Sequence, residues 1–162
     1  MTRPKARPCI FSMNTTINSI PELEQFARGF LEKLPVNAAG ATVVGLSGDL
    51  GSGKTAFVKA AARALGIKEM VLSPTFVLAK FYTIPERNSW SRLVHIDCYR
   101  IEDPDELKTV GWEKVMSDPR NLVLVEWPEN AGEAFPKNVP VLSFRFVDET
   151  TREIDASICS QP

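Results

Sequence analysis

Eight consecutive residues, Gly48-Asp49-Leu50-Gly51-Ser52-Gly53-Lys54-Thr55, satisfy the spacing G-x-x-x-x-G-K-[ST] without a gap. Each position answers a need of triphosphate chemistry. Glycines at 48, 51 and 53 let the backbone take positive φ and approach a phosphate closely. Successive N–H groups then face one concavity and form an anion nest at a helix start. Lys54 brings a compact positive charge to the β- and γ-phosphates, and Thr55 brings a hydroxyl suited to Mg²⁺. The pattern predicts a nucleotide triphosphate site; the alternative is a glycine-rich turn that binds nothing.

Hydrolysis or transfer also needs acids held opposite the phosphates. Ligands of α/β sheets gather outside the carboxyl ends of strands, so acids placed there are the candidates. Glu126 directly follows the apolar run at 122–125, the position of a Walker B acid, and Asp97 lies near the end of the strand containing Val94 and Ile96. The ordinary alternative for each is a carboxylate turned back to solvent. Thr75 falls in the loop after the phosphate-loop helix, where a γ-phosphate sensor can sit; its alternative is a plain turn. Trp127 is expected in the core, Trp90, Trp112 and Tyr99 in packing roles. His95 shares a strand face with Asp97 and is expected to be structural.

The elements that must position these residues follow from the hydrophobic pattern. Residues 41–46 are apolar and β-branched, as a buried strand requires. Phe57, Val58, Ala61, Ala62 and Leu65 recur at helical spacing, with Gly66 as a C-cap. Upstream, residues 10–17 predict a first strand. Ser19-Ile20-Pro21-Glu22 is a capping box that opens a helix striped by Leu23, Phe26, Phe30, Leu31 and Leu34. Downstream, an extended stretch over 73–83 and a turn at 85–89 precede a strand over 92–99, with Leu93, His95, Asp97 and Tyr99 on one face. Asp103-Pro104-Asp105-Glu106 starts a broken helical region ending near Ser117. Residues 122–125 form a central strand, and 140–147 with 151–157 form a terminal hairpin. The late strands lack long intervening helices, so the sheet is expected to be mixed. The expected fold is a P-loop NTPase-like α/β domain of three layers, residues 13–162, after a flexible tail of residues 1–12.

Composition narrows the function classes. The chain has 162 residues, a net charge of −1, 44% hydrophobic and 24% charged residues, ordinary values for a globular domain with a real core. No basic excess favours direct binding of RNA or DNA. Cys9, Cys98 and Cys159 show no C-x-x-C spacing and His95 is the only histidine, which argues against zinc and for reduced thiols. The first ten residues lead into no apolar signal segment, and no run reaches membrane-spanning length. The expected location is cytoplasmic.

Four ordered motifs carry a resemblance: Gly-Asp-Leu-Gly-Ser-Gly-Lys-Thr at 48–55, Ser-Pro-Thr-Phe at 73–76, His-Ile-Asp-Cys-Tyr-Arg at 95–100 and Val-Glu-Trp-Pro at 125–128. In this order they closely resemble the bacterial TsaE family, the ATPase of the tRNA threonylcarbamoyladenosine (t⁶A37) pathway. The likeness runs from about Ser19 to Arg152, and Asp-Pro-Asp-Glu-Leu at 103–107 matches a further typical segment. The resemblance implies ATP and Mg²⁺ as cofactors. It implies that residues 49–55 wrap the phosphates, that Thr55 and Glu126 hold the metal, and that Asp97 sits by metal and attacking water as the catalytic acid residue. Lys54 and Thr75 complete the catalytic set, Thr75 in a switch-like loop, and Arg152 is implied near the nucleotide. The implied partners are TsaB and TsaD, which perform the transfer, with tRNA touched only through them. Ala56 departs from a common family threonine, but Thr55 keeps the metal-binding hydroxyl. Two other classes compete: a small-molecule kinase, for which no arginine cluster follows the loop, and a GTP switch, for which no Asn-Lys-x-Asp segment exists. A nonenzymatic binding module remains if both acids face solvent.

Overall fold

The computed structural model describes residues 11–86 and 88–158. The expected strand start at Ile10, the first ten residues of the tail, Cys9 and Cys159 lie outside them. One seven-stranded sheet organises the rest. In chain order its strands are β1 (Phe11–Ile17), β2 (Thr42–Ser47), β3 (Ala79–Thr83), β4 (Arg92–Asp97), β5 (Asn121–Glu126), β6 (Val141–Phe146) and β7 (Arg152–Ile158). Their spatial order is β1-β7-β6-β2-β5-β4-β3. β2 is parallel to β5 and β6, and β4 to β5. The β1–β7, β3–β4 and β6–β7 pairs are antiparallel, so the sheet is mixed as expected.

Two apolar layers sandwich this sheet. On one face α1 (Ile20–Lys33) and α2 (Lys54–Ala64) cover Leu46, Leu93, Leu122 and Leu124, with Phe26, Phe30, Phe57 and Phe144 meeting between them. On the other, two 3₁₀ segments (Pro104–Val110 and Pro128–Ala134) and α3 (Trp112–Ser117) cover Val43, Val94, Ile96, Val123 and Val125. β5 is buried along its whole length in the interior of the sheet, which is why residues 122–125 are all apolar.

Several local expectations change. Glu22 does not close a reciprocal box on Ser19: Ser19 Oγ accepts from the Glu22 amide, whereas Glu22 Oε2 accepts from the amide of Asn18, one residue earlier. The stretch 73–83 is not continuously extended, because residues 75–77 turn, Leu78 takes φ 67° and only Ala79–Thr83 is strand. β4 stops at Asp97, and the Asp97 side chain accepts from the amide of Tyr99 at 2.9 Å, bending the chain out of the sheet before Tyr99 can extend it.

Candidate active site

The glycine loop joins the carboxyl end of β2 to the amino end of α2. Gly48, Gly51 and Gly53 take φ of 144°, 74° and 110°, values that L side chains resist. At Gly48 the reason is also steric, since a Cβ would lie 2.4 Å from the Phe144 carbonyl oxygen. Gly53 is the N-cap of α2 and supplies no capping side chain. The first amides of the helix therefore keep no intrahelical acceptor and remain free for an anion. Leu50 and Gly51 form the exposed tip of the loop, Ser52 is buried, and its amide donates to Asp49 O at 3.2 Å.

Lys54 is buried apart from a small fraction, and its ammonium donates to the carbonyls of Gly48 and Asp49 and lies 4.2 Å from the centroid of the Trp127 ring. Burial pulls its pKa below the ordinary lysine value, opposed by the charges of Glu126, Glu129, Asp97 and Asp49. Trp127 meets the expectation of a core residue only in part, packing against the second apolar layer. It is half-buried, adopts left-handed φ 56°, and packs on Tyr99 at 5.1 Å beside the loop. Its amide donates to Leu46 O at 3.1 Å, which ties this strained residue to the strand that feeds the loop.

Opposite the loop stand the two acids. Parallel pairing places Asp97 and Glu126 side by side at the ends of β4 and β5. Both are buried, which removes the alternative of solvent-facing carboxylates. Glu126 Oε1 accepts from the Thr55 hydroxyl at 2.7 Å and lies 2.8 Å from Nε2 of His95. Asp97 Oδ2 accepts from Thr75 Oγ1 at 2.8 Å, and Ser73 Oγ lies 2.6 Å from the same threonine hydroxyl. The loop at 73–78 is thus fastened to the acid through Thr75. Lys54, Thr55, Thr75, Asp97, Glu126, Trp127 and Arg152 line one cleft, whose lining does not include Gly48, Asp49 or Ser52. Sequence reading passed over Ser73 and Trp127 as site residues and gave His95 only a structural part. For His95 the signal existed, two residues before Asp97 on the same strand face.

The donor set suits Mg²⁺, which takes one or two carboxylates and keeps other positions for phosphate oxygens and water. Among the described residues no three of His, Cys, Asp or Glu converge on one point, so the protein's share of such a shell is small. A Thr hydroxyl that donates to Glu126 keeps its lone pairs for a cation. The loop has the free amides and the open Gly51 flank, with no atom within 4 Å of an added Cβ, that a polyphosphate needs.

A central strand, a glycine loop, a helix and acids on the neighbouring strand ends define an α/β protein of the P-loop type. The family model described as threonylcarbamoyl adenosine biosynthesis protein TsaE matches residues 17–154. The chain belongs to the TsaE family. It is 37% identical over 115 residues to the tRNA threonylcarbamoyladenosine biosynthesis protein TsaE of Rickettsia prowazekii, covering 70% of this chain and 73% of that one. The Aquifex aeolicus protein of the same name is 34% identical over 137 residues, 83% of this chain and 91% of that one. The crystal structure of Bacillus subtilis YdiB superposes with a TM-score of 0.66 at 26% identity, covering 92% of this chain and 86% of that chain. No helix among the described residues is long and apolar enough to cross a membrane.

Proposed function

We propose that this chain binds ATP with Mg²⁺ and hydrolyses it slowly as a component of the machinery that makes t⁶A37 in tRNA, in support of a TsaB–TsaD transferase in the cytoplasm. The pathway follows from the family and from relatives that bear its name. The observation that carries the ATPase reading is the convergence of Lys54, Thr55, Thr75, Asp97 and Glu126 on one cleft at the ends of β2, β4 and β5.

Each residue has a task that its contacts support. The loop amides and Lys54 bind the triphosphate tail. Thr55 and Glu126, with Asp97 beside them, hold Mg²⁺. When bound, the ion neutralises charge on the β- and γ-phosphates. Asp97 Oδ2 accepts the hydrogen bond of the Thr75 hydroxyl, so the acid and the threonine act as one unit that orients the attacking water. Trp127 and Tyr99 wall the cleft and limit water beside Lys54. On the other side of Gly53 and Ala56 opens an apolar hollow of about 320 Å³ lined by Ile17, Ile20, Phe144 and Ile154, suited in size and character to a nucleoside. The net charge of −1 fits contact with proteins more than with tRNA.

Calorimetry with Mg·ATP and a phosphate-release assay test the reading. The expected result is ATP binding with slow turnover that rises when TsaB and TsaD are added. Lys54→Ala should abolish turnover, and Asp97→Asn or Glu126→Gln should lower it at least tenfold, about 1.4 kcal/mol of barrier. No affinity for ATP in folded protein, near-normal turnover in Lys54→Ala, or phosphate arriving on a metabolite would each defeat it.

A further inference from the structure

The imidazole of His95 is completely buried, yet one of its nitrogens meets the cleft chemistry. Its Nε2 lies 2.8 Å from Glu126 Oε1, the oxygen that also accepts the Thr55 hydroxyl at 2.7 Å. Its other nitrogen, Nδ1, is buried without a hydrogen-bond partner. A buried N–H left without an acceptor is more costly than a buried lone pair. The geometry therefore favours a proton on Nε2, where Glu126 accepts it. Among the described residues no donor reaches Glu126 Oε2. One carboxylate oxygen is doubly tied and the other is left unbonded.

We propose that His95 is a positioning residue that acts through Glu126. Donating from Nε2, it pins Oε1 against the Thr55 hydroxyl and leaves Oε2 for the magnesium side of the cleft. The strand geometry supports this part. His95 lies two residues before Asp97 on β4, on the face that also carries Asp97, and Asp97 pairs with Glu126 on β5. The imidazole thus comes up beneath the acid from the floor of the sheet. Apart from His95, Thr55 is the one side chain bonded to Glu126 among the described residues, and Thr55 is itself part of the loop. Without His95 the carboxylate loses its one side-chain anchor outside the phosphate-binding segment among the described residues. Partners of this kind fix a ligating group's orientation, and their loss typically costs 10–100-fold in metal affinity.

The inference rests on the reading of Thr55 and Glu126 as the metal side, and the test keeps the two separable. His95 is the only histidine, so ¹⁵N-labelled protein gives one imidazole spin system in a two-bond ¹H–¹⁵N correlation spectrum. The expected spectrum has Nε2 protonated and Nδ1 bare, and Glu126→Gln should shift the Nε2 resonance. A protonated Nδ1 or an Nε2 indifferent to Glu126→Gln overturns the proposal, and neither needs nucleotide. The second arm measures the free Mg²⁺ required for ADP binding by calorimetry. His95→Leu should raise that requirement roughly tenfold while ADP affinity in EDTA stays as in the parent, and His95→Gln, which retains an N–H donor, should recover most of it. An unchanged Mg²⁺ requirement in folded His95→Leu, or no recovery in His95→Gln, overturns the proposal. Should His95→Leu not fold, the spectrum and His95→Gln still decide. Absence of ADP binding by the parent protein would instead defeat the proposed function, with the ring spectrum still reporting on the hydrogen bond.

Discussion

Burial raises the Cys98 thiol from its ordinary 9.0 to about 12, helped by the negative charges of Asp97 and Glu129. A thiol that ionises less readily folded than unfolded favours the folded state while it keeps its proton in both. That contribution is complete below about pH 9 and is lost as pH rises toward 12. Urea unfolding of the parent protein should therefore show a stability decline over this window that is shallower in Cys98→Ala, by up to one proton's slope, about 1.4 kcal/mol per pH unit. Parallel curves would sink the prediction. At this scale the sequence was generous with some residues and mute on others. The eight loop residues and both acids could be named from type and spacing alone, because a strand end and a glycine loop leave little freedom. Trp127 could not, since nothing in its type signals the left-handed φ of 56° that brings it beside Lys54.

Glycines of the loop serve its geometry for different reasons, and the element separates them. At Gly48 an added Cβ meets the Phe144 carbonyl of β6 at 2.4 Å, backbone that cannot rotate away, whereas at Gly51 it meets nothing within 4 Å. Gly51→Ala should cost only the strain of positive φ, about 1–2 kcal/mol. Gly48→Ala should cost more and displace β6, readable as a larger drop in Tm and as altered amide shifts around Phe144. Equal costs would argue against the close approach. Elements with a strong period or a uniform apolar run were legible: α1, α2 and β5 fall where their patterns placed them. β3 was blurred into a longer stretch because an edge strand, half-exposed, carries no clean alternation, and the Leu78 turn at φ 67° has no glycine to announce it.

At the scale of the molecule, four phenylalanines join parts that are distant in sequence. Phe57 of α2 lies 6.1, 6.0 and 5.8 Å from the rings of Phe26, Phe30 and Phe144, linking both helices to β6. Phe57→Ala should destabilise by about 3–5 kcal/mol, whereas Phe76→Ala, at a side chain 85% exposed, should stay within about 0.5 kcal/mol. Chemical denaturation of the two variants checks this, and comparable losses would contradict it. The mixed character of the sheet was legible, but its strand order was not, since the β1–β7 pairing joins the two ends of the chain and leaves no local trace. The pairing of Asp97 with Glu126 across β4 and β5 carries a consequence for how this chain can diverge. One amino acid inserted within 92–97 or 121–126 would swing one acid to the opposite side of the sheet, because side chains alternate strictly along a strand. Length changes in the 103–118 connection would leave both acids in place. Descendants of this gene are free to lengthen that connection and bound to keep two six-residue segments in step.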